Sequence, residues 1–200
     1  MIKASLDIVF FIFRLAFRTL NSIEVTGLEK IPRTGPLIIA CNHLSNVDPP
    51  ALLSFTALVR RVNVMAKKEL FAIPVLGWFI LRWGAIPVDR NREGGDLGAL
   101  RGALGALKKE GCLVIFPEGT RARGRKLPAK AGVGFLAHKS GAPVLTARIF
   151  NSDNFLKLGK ITIKYGAVRR FEPAAHADPK TAYGQFSESL MSDIFSITEE

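Results

Sequence analysis

The chain opens on a segment in which most positions are apolar. From Met1 to Leu20, Phe, Ile, Leu and Val dominate, and the strongly polar positions from residue 3 onward are Lys3, Asp7, Arg14, Arg18 and, just beyond, Asn21. At about 100° per residue these five fall within an arc of roughly 60°, so the pattern predicts an amphipathic helix with a wide apolar face. Its longest uncharged run, Ile8–Phe13, is six residues, against the ~20 that a bilayer span requires. Arg14 and Arg18 also interrupt the stretch a cleavable signal peptide keeps apolar. Two placements remain: in a membrane interface, or packed on the chain's own domain. The wide apolar face and the basic stripe favour the interface.

Beyond this segment, short runs rich in Val and Ile alternate with helical patterns. The strands predicted are Leu37–Cys41, Val62–Ala66, Ala85–Val88, Leu113–Phe116, Val144–Ile149 and Ile161–Tyr165. The first and fourth are nearly continuous apolar runs, as expected for strands covered on both faces. The helices predicted are Pro49–Leu58, Leu70–Arg82, Asp96–Lys109, Ala131–Lys139 and, in an acidic tail, about Thr181–Phe195. This alternation implies an α/β fold: one domain, residues 22–170, around a largely parallel sheet flanked by helices. Residues 1–21 form the membrane-associating helix before it and residues 171–200 the helical tail after it. The uncharged segment Leu70–Leu81, interrupted by Pro74 and Gly77, is a core helix, or lines an apolar groove for an acyl chain, or dips into lipid. Trp78, Trp83 and the flanking cations suit an interfacial position.

Charge narrows the choice of partner. The 200 residues carry 28 Lys and Arg against 17 Asp and Glu, a net +11, and 48% of positions are hydrophobic. A chain this apolar is not a disordered polycation. From Gly119 to Ser152 there are seven basic residues and no acid, whereas residues 171–200 hold six acids and one base. A field of this sign fits an anionic partner: nucleic acid, a lipid surface or a phosphorylated substrate. The aromatic residues gather in the two apolar segments and not in a nucleic-acid motif, which argues against nucleic acid. Cys41 and Cys112 sit in apolar runs without Cys-x-x-Cys spacing, so both read as buried and inert. No His, Cys and carboxylate cluster has metal-ligand spacing, and no metal or cofactor is expected.

Two strand ends carry the chemistry. At the first, Asn42-His43-Leu44-Ser45-Asn46-Val47-Asp48-Pro49-Pro50 follows the strand. Asp48 before Pro49 fits a helix N-cap. Folded back, its carboxylate would instead hold one nitrogen of His43 and leave the other as a general base. At the second, Phe116-Pro117-Glu118-Gly119-Thr120-Arg121 forms a polar turn, the place where ligands bind in open α/β sheets. Gly119 permits close backbone approach, Thr120 offers a hydroxyl and Arg121 can grip a phosphate through two parallel hydrogen bonds. Glu118 is expected to orient Arg121 or to accept a substrate hydroxyl.

Taken together and in this order, the motifs resemble the 1-acylglycerol-3-phosphate (lysophosphatidate) acyltransferases of the glycerolipid acyltransferase superfamily. The His-x4-Asp motif matches His43 and Asp48, and Phe-Pro-Glu-Gly-Thr-Arg matches Phe116–Arg121 without change. Between them lie Lys67, Lys68, Glu69, Leu70, Pro74, Gly77 and Ile86–Arg90; Lys130 and Gly132 and then Gly141–Val144 follow. The chain departs from the family at Leu145-Thr146-Ala147 and at Ala129. The resemblance implies transfer of a fatty acyl group from acyl-CoA or an acyl carrier protein to the 2-hydroxyl of lysophosphatidate. It implies His43 as base, Asp48 as its partner, and substrate binding by Glu118, Gly119, Thr120, Arg121, Arg90, Lys67 and Lys130. It places the protein at an anionic membrane surface, on the cytoplasmic face. The alternatives are another acceptor, such as glycerol 3-phosphate or a different lysolipid, and a non-catalytic module that binds anionic lipid.

Overall fold

The computed structural model describes residues 2–89, 91, 95–123, 125–172 and 178–199, with only the backbone of residues 2–5. Seven strands form one sheet in the order β1-β7-β6-β2-β5-β3-β4. They are β1 (Glu24–Thr26), β2 (Leu37–Cys41), β3 (Val62–Lys67), β4 (Ile86–Val88), β5 (Cys112–Ile115), β6 (Val144–Phe150) and β7 (Thr162–Arg169). All neighbours are parallel except β6 and β7. The largely parallel sheet predicted from the pattern is therefore present. β1 was not predicted: its polar–apolar–polar alternation runs for only three residues, too few to read as a strand, and pairing with β7 is what makes them one.

Helices cover both faces: α1 (Ile2–Leu20), α2 (Asp48–Thr56), α3 (Leu76–Trp83), α4 (Leu97–Lys108), α5 (Gly132–Ser140) and α6 (Pro179–Ser196). The continuous apolar run of β2 is explained by the two cores it serves. Leu37, Ile39 and Cys41 point into one, with Leu52 and Phe55 of α2 and Phe10 and Phe17 of α1. Ile38 and Ala40 point into the other, with Leu107 of α4, Leu136 of α5, and Leu190 and Ile194 of α6. Both cysteines are fully buried free thiols, and burial pushes Cys112 up to about 12.

Two expected helices come out differently. The segment Leu70–Arg82 is not continuous: a 3-10 turn, Lys68–Ala72, is followed by α3 from Leu76. Between them Pro74 accepts a hydrogen bond from Leu76 N–H at 2.7 Å, with Val75 at φ 64°, ψ −57°. This is a γ-turn of the rare positive-φ kind, on a β-branched residue. The segment is not a core helix either. Val75, Trp78 and Leu81 are exposed, and Gly77 and Ile80 are the buried residues of α3.

The N-terminal helix turns part of its basic stripe toward the domain: Arg14 Nη1 donates to Ser54 O at 2.8 Å, and Arg18, itself exposed, lies over the Phe55 ring. Burial, then the neighbouring Arg18, hold the Arg14 guanidinium below its ordinary pKa. Phe10 meets Trp83 edge-on and Phe17 meets Phe155. Apolar side chains also point outward: Ile8, Phe11, Ile12 and Leu15 are each about half exposed or more. α1 thus packs on α2 with one side, one of the two placements the sequence allowed, and presents apolar side chains with the other. Among the described residues no helix is long and apolar enough to cross a membrane.

Candidate active site

The parallel arrangement sets the C-terminal ends of β2, β3, β4 and β5 along one edge of the sheet. β2 and β5 are adjacent, so their following loops meet, and with them the two motifs. His43 Nδ1 lies 2.7 Å from Asp48 Oδ2, both residues being buried. The same Asp48 oxygen accepts the N–H groups of Leu44 at 2.6 Å and Ser45 at 2.8 Å. Asp48 is therefore not the N-cap. Val47 occupies that position and Asp48 is the first residue of α2; its carboxylate turns back onto the loop that presents His43. His43 Nε2 has no hydrogen bond among the described residues and is not among their sealed polar atoms. The imidazole stacks on Phe116, ring centroids 4.3 Å apart.

The second motif grips the backbone of the first. His43 N–H donates to Glu118 Oε2 at 2.7 Å, and His43 O accepts Ala122 N–H at 2.7 Å. Glu118 is buried to 2% exposure and among the described residues forms no ion pair with Arg121. The expected link to Arg121 is therefore absent among the described residues; Oε2 holds the peptide of His43, and Oε1 is buried without a partner among them. Burial pushes its carboxyl from an ordinary 4.5 to about 7; the His43 N–H opposes the rise and Asp48 adds to it.

Gly119 stands at φ 68°, and a Cβ there would lie 2.8 Å from Lys130 Cδ and Cε. The left-handed backbone strains any side chain at this position, and the lysine stem would have to move aside for it. The Lys130 N–H donates to Pro117 O at 2.8 Å, which anchors the Lys130 backbone beside the turn. Thr120 is exposed and Arg121 half-buried, and the Arg121 guanidinium has no hydrogen bond or ion pair among the described residues. Glu118, Gly119, Thr120, Arg121 and Lys130 are thus brought together beside His43 and Asp48. Lys67 ends β3 on the same edge but is exposed and lies 3.6 Å from Glu69. Arg90 lies outside the described residues.

Three supports were not legible as such. Asn42 clamps β6: its Nδ2 donates to Ile149 O and its Oδ1 accepts Ile149 N–H, both at 2.9 Å. The amide stands in for a ladder peptide just where β2 ends. Ser45 Oγ donates to Ser152 O at 3.1 Å and accepts Val47 N–H, so this hydroxyl organises the loop. Phe116 supplies the stacking face. Asn42 and Ser45 lie inside the first motif, but their partners are more than a hundred residues away. Among the described residues no group of His, Cys, Asp and Glu could hold a metal ion.

A carboxylate-backed imidazole with one nitrogen open, beside the turn that bears an unpaired guanidinium, suits proton transfer on an anionic substrate. The acyltransferase family model matches residues 22–150, and the chain belongs to that family. Among curated proteins it is 32% identical over 149 residues to the chloroplastic 1-acyl-sn-glycerol-3-phosphate acyltransferase BAT2 of Brassica napus, covering 73% of this chain and 42% of that one. It is 29% identical over 173 residues to the 1-acyl-sn-glycerol-3-phosphate acyltransferase of Bacillus subtilis, covering 85% of each. The chain spans about two fifths of the length of the plant relatives it matches. In fold it resembles the 1-acyl-sn-glycerophosphate acyltransferase PlsC of Thermotoga maritima, with a TM-score of 0.70 and 24% identity over 96% of this chain and 81% of that one.

Proposed function

We propose that this protein transfers a fatty acyl group from an acyl thioester to the 2-hydroxyl of 1-acylglycerol 3-phosphate at a membrane surface. The observation that carries the reading is the buried His43 Nδ1–Asp48 contact of 2.7 Å, with Nε2 open beside the turn that bears Arg121. Asp48 fixes the tautomer with the proton on Nδ1 and stabilises the imidazolium. Nε2 takes the hydroxyl proton as the oxygen attacks the thioester carbonyl, and returns it to the departing thiolate as the tetrahedral intermediate collapses. Arg121 holds the acceptor phosphate, helped by Thr120, by the close backbone approach at Gly119 and by Lys130; Lys67 is a further cation on the same edge. The 1-acyl-sn-glycerol-3-phosphate acyltransferases among its relatives support this acceptor. The donor is an acyl thioester of coenzyme A or of an acyl carrier protein. No resident cofactor has a part in these steps.

The membrane is the partner that this acceptor requires. The outward apolar side of α1 and the exposed Ile73–Leu81 tip support contact with lipid, and Lys67, Lys68 and Arg82 flank the tip. Anionic headgroups on the cytoplasmic face match that charge. The test is purified protein with one radiolabelled acyl thioester and a panel of lysophosphatidate, glycerol 3-phosphate and neutral lysolipids. Acylation of lysophosphatidate alone is expected. Loss of turnover in His43→Ala and a roughly 10²- to 10⁴-fold loss in Asp48→Asn are expected with it. Product from glycerol 3-phosphate only, or near-normal turnover in His43→Ala, would refute the assignment.

A further inference from the structure

The turn that follows β6 carries the most exposed leucine of the described chain. In Ser152–Lys157 Leu156 is 89% exposed, and Leu158 just beyond it is 60% exposed. Leu158 is held at φ 56°, ψ 27°, the left-handed region that glycine and asparagine enter readily and leucine does not. An exposed leucine in a disfavoured backbone conformation gains nothing from the fold. Between the two leucines stands Lys157, exposed and in no ion pair among the described residues.

The turn is fastened at both ends. Toward α1, Phe155 meets Phe17 edge-on at 5.7 Å, and Asn21 Nδ2 donates to Phe155 O at 2.9 Å and Gly159 O at 3.2 Å. Asn21 is fully buried, while its neighbour Leu20 is 48% exposed. Toward the site, Ser152 O accepts Ser45 Oγ, and Ser45 N–H donates to the Asp48 oxygen that holds His43. One rigid turn therefore joins the end of α1 to the loop of the candidate base.

We propose that the Ser152–Leu158 turn is a second point of contact with the bilayer, placing Leu156 and Leu158 among lipid tails and Lys157 among anionic headgroups, and so fixing the depth of the His43 loop. This rests on the reading that the acceptor is a membrane lipid. A second copy of the chain fits the turn less well: Asp153 opens the turn, but the charge that stands between the two leucines is Lys157, and residues 1–170 hold 27 basic against 11 acidic side chains.

The experiment compares the unsubstituted chain with Leu158→Asn and Leu156→Asn/Leu158→Asn in flotation with phosphatidylglycerol-containing vesicles. Asparagine suits the left-handed position, so Leu158→Asn is expected to keep or raise the Tm. Partitioning is expected to weaken about tenfold for each leucine removed. Turnover with bilayer-presented lysophosphatidate falls in parallel, while turnover in detergent micelles stays near the wild-type value. Unchanged flotation of the double variant overturns the proposal, as does a shift in its gel-filtration volume showing that the leucines join two copies. If the acceptor assignment is wrong, micellar turnover on lysophosphatidate is missing in the wild type itself, whereas flotation still reports on the turn.

Discussion

At the residue scale the site depends on two carboxylates with opposite tasks. Asp48 has three donors on one oxygen, whereas Glu118 has one, the His43 N–H; the second oxygen of each, Asp48 Oδ1 and Glu118 Oε1, is buried without a partner among the described residues. Burial therefore dominates at Glu118 and raises it to about 7. A raised carboxyl pKa means that the folded protein keeps a proton the unfolded chain has lost. Across the window from about 4.5 to about 7, stability falls as pH rises, and the loss is complete above that window. Glu118→Gln keeps an acceptor for His43 and removes the titration. The Tm difference, variant minus wild type, is expected to grow between these pH values and level off beyond them. A difference independent of pH in thermal melts would refute the assignment. Glu118→Ala removes the acceptor altogether, and displacement of His43 is expected to cost about 100-fold in turnover. The two motifs that contain these residues were legible, because each is a short polar sequence after an apolar strand. That Glu118 serves the backbone of His43 was not, since a contact across 75 residues exists only once β2 and β5 pair.

At the element scale, strands and helices followed their periodicity where one face or both are buried. β2 was legible to the residue because both of its faces are core. The failures have physical reasons. β1 is made by its partner, and the break in Leu70–Arg82 depends on a backbone conformation no propensity favours. Orientation was also hidden: α1 is amphipathic as read, yet Arg14 faces inward because Ser54 O at the end of α2 accepts its guanidinium. The γ-turn at Val75 can be tested as an element. Glycine adopts φ 64° freely, and the Val75 side chain is 80% exposed, so no packing is lost. Val75→Gly is expected to raise stability by about 1 kcal/mol, read as the shift in urea midpoint at constant slope. Destabilisation would mean that the side chain carries packing this structure does not show. A matching drop in vesicle flotation is expected, since the exposed tip loses its most prominent apolar side chain.

At the scale of the whole molecule, the net charge of +11 divides into cations that build the fold and cations that face outward. Arg14 serves Ser54 O, Lys30 serves Tyr165 O, and Arg60 serves four carbonyls that include Gly35 O and Glu110 O. Arg148, which the sequence grouped with an outward basic stretch, instead donates to Phe195 O and Ile197 O at the end of α6 and lies over the Phe150 and Phe195 rings. Arg123, Arg125 and Lys126 remain exposed and in no ion pair among the described residues, just past the turn that bears Arg121. The sequence could not make this division, because a guanidinium against a carbonyl and one in water have the same letter. It predicts opposite phenotypes for substitutions of the same kind. Arg123→Ala/Arg125→Ala/Lys126→Ala is expected to leave the Tm unchanged and to weaken binding to anionic vesicles, by up to ~1 kcal/mol per cation at low salt. The effect should vanish in high salt, where the Debye length falls to about 3 Å at 1 M. Arg148→Ala is expected to lower stability by about 1–3 kcal/mol through the carbonyls it strands, with vesicle binding intact. Equal loss of lipid binding from both variants would mean that the basic stretch after Gly119 acts as one surface and that its division here is wrong.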